Sequence, residues 1–269
     1  MGAWKTYRDR TAVVTGASSG IGAELARQLA RRGMRVALVA RRAERLATLA
    51  EEIGSAGGTA SAHPCDVADH ASVAAAGRDI RDRYDAIHLL ANCAGYARHV
   101  LFQDHDVDDI QRMVQTNVMG TVYWIRELLP GMREQGQGWI VNVSSFAGMV
   151  AQPDEAAYTA TKFAVTGLSD ALAWELRPQG IHVLCVYPVL VRTDMFTPEI
   201  LERMPAGTAR RFITAERFAA DTLRALERGA HHAVIPRPYR FVTILKALFP
   251  RWMGRKIAAV RLRAIRNGS

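Results

Sequence analysis

The chain is poor in several residue types, and each scarcity narrows its chemistry. Only three cysteines occur in 269 residues, Cys65, Cys93 and Cys185. They are odd in number, far apart and set in apolar segments, so they read as buried free thiols rather than a disulfide framework. No Cys or His spacing follows a metal-site pattern, and no metal is expected. No apolar run reaches the roughly 18 residues of a membrane-spanning helix. The first residues, Met-Gly-Ala-Trp-Lys-Thr-Tyr-Arg, lack the apolar stretch of a signal peptide, so a cytoplasmic protein is expected. Lysine is scarce: Lys5, Lys162, Lys246 and Lys256 stand against 35 − 4 = 31 arginines. From Arg237 onward there is no acidic residue at all, while nine basic ones occur.

That last absence accounts for the net charge of +9, because 35 − 9 = 26 basic residues face 26 acidic ones in residues 1–236. The body is neutral and the excess sits in one tail. This argues against an enzyme that grips nucleic acid in a basic groove through its body.

At 49% apolar residues the chain can fill a substantial core. Short apolar, β-branched runs predict strands at Thr11–Thr15, Arg35–Ala40, Thr59–Cys65, Ala86–Ala91, Gly138–Val143, Ile181–Tyr187 and His232–Ile235. Longer amphipathic segments between them predict helices near 20–33, 42–56, 69–83, 105–135, 155–177 and 214–228. The alternation implies an α/β fold with a parallel sheet covered on both faces. Residues 189–213 follow neither period and read as a mobile substrate lid.

The turn Thr15-Gly16-Ala17-Ser18-Ser19-Gly20-Ile21-Gly22 follows a strand and opens a helix. Glycines let the backbone approach a pyrophosphate, and the helix N-terminus supplies unpaired N–H groups. At the end of the second strand, Ala40 stands where an NAD site usually places a carboxylate, and Arg41 and Arg42 follow. Two guanidiniums there favour a 2′-phosphate, hence NADP(H). The bland alternative is a pair of solvated helix-start arginines.

Tyr158 and Lys162 lie four residues apart on a predicted helix and share a face. Bringing a phenol from a pKa of about 10 to roughly 7 takes about 4 kcal/mol. One cation at about 4 Å in an effective dielectric near 20 supplies roughly that amount. Tyr158 is therefore a candidate proton donor near neutral pH.

With the glycine turn, Ser145, Tyr158 and Lys162 in place, residues 8–236 resemble the short-chain dehydrogenase/reductase family. The resemblance implies a Rossmann-type doubly wound sheet of about seven strands with one substrate pocket above the strand ends. Residues 237–269 would then be a separate basic, amphipathic helical extension. The family pattern makes Asn117, Ser145, Tyr158 and Lys162 the catalytic tetrad. Asn117 would hold a water of the proton relay through its backbone carbonyl, and Lys162 would also bind the nicotinamide ribose. Ser144 would pack or position the nicotinamide. Cofactor contacts are implied at Gly16, Ser18, Ser19, Gly20, Ile21, Gly22, Arg41, Arg42, Asp66, Val67, Asn92, Ala94, Gly95, Tyr158, Lys162, Pro188, Val191 and Thr193. Two departures stand out: Cys93 replaces the second Asn of the family's Asn-Asn-Ala-Gly turn, and Val189 replaces the glycine after Pro188.

The implied activity is NADPH-dependent reduction of a carbonyl, or the reverse oxidation of a secondary alcohol. The alternatives are an NAD-preferring dehydrogenase and a nucleotide-sensing scaffold without turnover. Tyr96–Val100, Phe146–Val150, Pro188–Leu190 and the lid residues Met195, Phe196, Ile200, Leu201 and Met204 would line an apolar pocket, suited to a small apolar ketone, aldehyde or alcohol. Trp124 and Trp174 lie on central helices where the family forms homodimers or homotetramers, and core packing is the other reading.

In the tail, Phe241, Ile244, Leu245 and Leu248 form one stripe, and Met253, Ile257, Val260 and Ala264 a second beyond Pro250. Basic residues surround both. Peripheral contact with an anionic membrane, packing on a subunit or over the substrate pocket, and a disordered tail are the three readings. Arg98-His99, Asp104-His105-Asp106 and His231-His232 resemble ligand clusters, but helix caps and solvated positions explain them as well.

Overall fold

The structure, a computed structural model, describes residues 6–202, 204 and 207–267; Lys5 and the last two residues of the predicted tail lie outside these. The elements run β1 (Thr11–Thr15), α1 (Gly20–Arg31), β2 (Arg35–Ala40), α2 (Ala43–Ser55), β3 (Thr59–Pro64), α3 (His70–Arg83), β4 (Leu89–Asn92), α4 (Val107–Val114) and α5 (Gly120–Glu134). They continue with β5 (Gly138–Val143), α6 (Ala156–Leu176), β6 (Ile181–Pro188), β7 (Val191–Arg192), α7 (Pro198–Glu202), β8 (Ile213–Thr214), α8 (Ala215–Glu227), β9 (His232–Ile235), α9 (Arg240–Leu248) and α10 (Pro250–Asn267).

Seven strands form one parallel sheet in the order β3-β2-β1-β4-β5-β6-β9, a doubly wound Rossmann arrangement. Alternate residues of a strand point to opposite faces. Ala12 and Val14 of β1 accordingly enter one core cluster, with Leu25, Leu29 and Phe218 from α1 and α8. Val13 enters the other, with Ile80, Trp124 and Ala173 from α3, α5 and α6. Burial on both faces is why these strands read as continuous apolar runs. The chain order reverses between β1 and β4, which opens the crevice where ligands bind in such sheets.

Three details differ from the sequence expectation. The fourth strand begins at Leu89 rather than Ala86, and just before it the His88 ring accepts the Thr11 N–H at 3.2 Å. The helix expected over 105–135 is divided by a π turn, Gln115–Met119, between α4 and α5. Its start is capped by Asp106, which accepts the Asp108 N–H at 3.0 Å. The segment expected to lack regular structure contains α7 and a small parallel ladder, Val191↔Ile213 and Arg192↔Thr214.

The tail folds back on the body. Lys246 of α9 donates to the Met149 carbonyl at 2.6 Å and lies 5.1 Å from the centre of the Phe163 ring. Tyr239 packs edge-on against Phe146. From α10, Met253 and Arg261 are buried. Of the second apolar stripe Met253 turns inward and Val260 is exposed, while Phe241, Ile244 and Leu248 of the first face solvent. Trp124 is core, and Trp174 is exposed beside His231.

Candidate active site

The glycine-rich turn after β1 meets the turn after β4 across the crevice. Thr15 Oγ1 accepts the N–H groups of Cys93 and Ala94 at 3.0 and 3.1 Å, tying the two turns together. Gly16 has φ 65°, and a Cβ there would sit 2.8 Å from the Ala94 nitrogen, so both the conformation and the close approach require glycine. Ser19 precedes α1 with extended backbone and does not cap it, leaving the first N–H groups of the helix without a side-chain partner. The Ser18 and Ser19 hydroxyls instead accept from the Arg42 guanidinium at 2.7 and 2.9 Å. This couples the second-strand arginine directly to the glycine turn.

A cavity of about 880 Å³ opens along these turns. Gly16, Ser18, Ser19, Gly20, Ile21, Gly22, Arg41, Arg42, Asp66, Val67, Ala94, Gly95 and Thr193 line it, as do Tyr96–Val100 from the expected substrate segments. Asn92, Tyr158, Lys162, Pro188 and Val191 are outside the lining. Asn92 is buried in the sheet and donates to Asn142 Oδ1 at 2.9 Å. Pro188 ends β6, and Val191 is buried in its ladder with Ile213. Cys65, Cys93, Thr116, Asp194 and Thr197 line the cavity without having been expected there as contacts. Burial pushes the Cys93 thiol up to about 12, so it is a neutral wall group. Phe146, Met149 and Val189 also lie outside the lining and pack with Tyr187, Val234 and Tyr239. The Val189 side chain, where the family has glycine, thus faces the tail.

Beyond this cavity, β5 ends at Val143 and the chain turns at Ser145 into a short 3-10 turn. Ser144 Oγ donates to the Lys162 carbonyl at 2.9 Å, which pins α6 to the end of β5. Ser145 Oγ accepts the Ala147 N–H at 3.1 Å, and Ser145 is near enough to the Tyr158 phenol to lower its pKa. Tyr158 and Lys162 share a face of α6, with the ammonium 5.6 Å from the centre of the phenol ring. Lys162 Nζ donates to the Val143 carbonyl at 2.9 Å. A Cβ on Gly95 would lie 2.9 Å from Asn117 Oδ1 and 3.5 Å from Lys162 Nζ, so the turn after β4 borders both groups.

Burial raises the Tyr158 phenol well above its ordinary range; Ser145 lowers it and the Glu155 carboxylate raises it. The lowering expected from Lys162 is absent: its ammonium is held on the Val143 carbonyl, and burial, Ser145 and Glu155 set the phenol. Burial also lowers Lys162 to about 8, so this ammonium can exchange a proton near neutral pH. Asn117 lies in the π turn. Its amide donates to the Tyr96 carbonyl at 3.0 Å and to Thr161 Oγ1 at 3.1 Å, and its Oδ1 accepts the Tyr96 N–H at 3.0 Å. Its backbone carbonyl accepts the Thr121 hydroxyl at 3.0 Å.

A family model described as short chain dehydrogenase matches residues 10–203. This chain belongs to the short-chain dehydrogenase family. A short-chain dehydrogenase/reductase of Burkholderia phymatum, solved with NAD, superimposes with a TM-score of 0.83 at 25% identity, covering 93% of this chain and 96% of that one. A short-chain dehydrogenase of Sphingobium yanoikuyae, solved with NADPH, gives 0.76 at 30% identity, covering 89% and 93%. A fatty acyl-CoA reductase of Mycobacterium tuberculosis is 34% identical over 245 residues, 90% of this chain and 81% of that protein. The chain spans 61% of the length of uncharacterised oxidoreductases of Mycobacterium bovis and Mycobacterium tuberculosis, to which it is 37% identical over 207 residues.

A nicotinamide dinucleotide fits the site of this short-chain dehydrogenase on its own features. The uncapped start of α1 suits a pyrophosphate, Gly16 keeps side chains out of the crevice, and Arg42 stands over two serine hydroxyls at the rim. One charged group escaped sequence reasoning. Arg261 of α10 is buried against Asp154, with His99 Nδ1 3.0 Å from Glu155 Oε1 beside them. The only signal for it was a charged residue within the spacing of the second stripe. Among the described residues no three His, Cys, Asp or Glu side chains converge as a metal site.

Proposed function

We propose that the protein is an NADP(H)-dependent carbonyl reductase, working in reverse as a secondary alcohol dehydrogenase, on a small apolar substrate. The observation that carries this is the convergence of Ser145 and Lys162 on Tyr158 next to a cavity whose rim holds Arg42 against Ser18 and Ser19. Arg41 and Arg42 would hold a 2′-phosphate, and the glycine turn with the start of α1 would hold the pyrophosphate.

When bound, the nicotinamide exchanges a hydride with the substrate carbon. The Ser145 hydroxyl hydrogen-bonds the substrate oxygen and stabilises its developing negative charge. Tyr158 gives that oxygen its proton, which burial keeps on the phenol until the alkoxide forms. Lys162 holds its proton up to about pH 8 and restores the phenol. Asn117 supports the relay by fixing the turn after β4 against α6. In oxidation Tyr158 accepts the proton instead. Tyr96, Ala97, Val100, Met195 and Ile200 give the cavity an apolar stretch of wall. The fatty acyl-CoA reductase relative supports an aliphatic carbonyl. The NAD-bound relative favours a second reading, an NAD-preferring dehydrogenase. Exposed Trp174 on α6 offers a face for homo-oligomer contact.

The test is oxidation of NADPH, run beside NADH, over ketones and aldehydes from short to long chain, with Tyr158→Phe as control. Turnover that prefers NADPH and vanishes in Tyr158→Phe, with nucleotide binding retained, is expected. Turnover equal in Tyr158→Phe would remove the phenol from the mechanism. Nucleotide binding without turnover would favour a scaffold.

A further inference from the structure

The α9–α10 pair presents an inverted pattern. Lys246 points inward to a carbonyl, while Phe241, Ile244 and Leu248, at i, i+3 and i+7, are 73, 45 and 67% exposed. Phe249 and Trp252 extend the patch across the junction of the two helices, at 56 and 52% exposed. A row of large apolar side chains in water is unfavourable unless something covers it. Its surroundings are uniformly cationic. Arg240 precedes Ile244 by one turn, and Arg255 and Lys256 follow Trp252 by one turn, all three exposed.

We propose that this face is a docking surface for an anionic lipid membrane. Aromatic and aliphatic side chains entering the headgroup boundary and cations drawn to anionic lipid act together, as in helices that lie on a bilayer. A second copy of the chain is a poor occupant. A symmetric contact would set this face against itself, with the exposed Arg240, Arg251, Arg255 and Lys256 facing their own copies and no acidic residue from Arg237 onward to pair with them. Among the described residues no helix is long and apolar enough to cross a membrane, so the protein docks here by lying on the surface. This inference does not depend on the catalytic reading.

The dock is also joined to the site. The inner sides of the same helices hold Met149 through Lys246 and Asp154 through Arg261, on the segment between Ser145 and Tyr158. The membrane would therefore lie about one helix diameter, roughly 10 Å, from that segment.

The test is sedimentation of the full chain with vesicles of phosphatidylglycerol and phosphatidylcholine in equal parts, beside phosphatidylcholine alone. Binding to the anionic vesicles, weakened by salt, is expected. The exposed triple variant Phe241→Ser, Leu248→Ser, Trp252→Ser should lose at least about tenfold in binding with an unchanged thermal melt, because it removes apolar area from the dock and nothing from the core. A charge variant, Arg240→Glu with Arg255→Glu, should abolish the preference for anionic lipid. The proposal is overturned if the wild type does not sediment with anionic vesicles, or if the triple variant binds them equally. It is likewise overturned if the face binds polyglutamate but not vesicles, or if the triple variant changes only the oligomer seen in sedimentation velocity.

Discussion

Arg261 and Asp154, 107 residues apart, form a buried two-pronged ion pair: Nε to Oδ1 at 2.7 Å and Nη2 to Oδ2 at 3.0 Å. Asp154 has φ 60° and stands four residues before Tyr158, so the pair anchors a left-handed corner just before α6. Planar, bidentate geometry makes such a pair strong, but only while both members remain.

Removing one partner should therefore cost more than removing both. Arg261→Met leaves Asp154 and Glu155 without their shared cation and should destabilise the fold by about 3–5 kcal/mol. Adding Asp154→Asn should return the greater part. Urea unfolding of both variants checks this, and equal losses in the two would count against a buried charge effect.

Arg42 should discriminate between nucleotides. Losing its charged hydrogen bonds to a 2′-phosphate costs about 1.5–3 kcal/mol, so Arg42→Ala should lower kcat/KM for NADPH about ten- to a hundredfold. NADH should change less than about threefold, because it carries no phosphate there. Ala40→Asp should shift preference toward NADH. Equal losses for both nucleotides in Arg42→Ala would mean that the arginine only supports the Ser18–Ser19 turn.

Gly16 and Gly57 share a positive φ, 65° and 80°, but differ in surroundings. Gly57→Ala meets nothing within 4 Å and should lose only the conformational preference, about 1 kcal/mol. Gly16→Ala adds a Cβ 2.8 Å from the Ala94 nitrogen and should lose about 2 kcal/mol or more, together with nucleotide binding. Thermal melts with nucleotide titration separate the two.

Lys162 predicts a pH signature. Its pKa is lowered to about 8 in the fold against 10.5 for the free side chain, so between those values the unfolded chain binds more protons. Stability from this group therefore rises as pH goes from about 8 toward 10, and the penalty is full below about 8. The raised tyrosines and thiols act oppositely, since the unfolded chain loses their protons first. The difference between wild type and Lys162→Met isolates the lysine. It should narrow by about 3 kcal/mol at most across that window. A constant difference from pH 7 to 10 would contradict a desolvated lysine.

The sheet was legible because strands buried on both faces must be almost wholly apolar, as β1 is from Thr11 to Thr15. The shared helix face of Tyr158 and Lys162 and the glycine turn were legible because their spacing is local: four residues from Tyr158 to Lys162, and three glycines within seven positions. What sequence could not give is long-range pairing. Nothing in the order of residues joins Lys246 to Met149, Arg261 to Asp154 or Asn117 to Tyr96. The pKa of Tyr158 escaped for a related reason. Spacing places a cation near the phenol, but only the packed fold shows the ammonium bound to the Val143 carbonyl and the phenol raised by burial.

The distance along the chain between Asp154 and Arg261 also orders events during synthesis. At about 5–20 residues per second, 107 residues of translation take roughly 5–20 s. Throughout that interval the nascent body carries the Asp154 carboxylate, whose bidentate guanidinium has not been made. A ribosome that stalls before codon 261 would leave the corner next to Tyr158 open to water, with the sheet already complete at β9. The corner beside the phenol thus closes only after α10 has been translated.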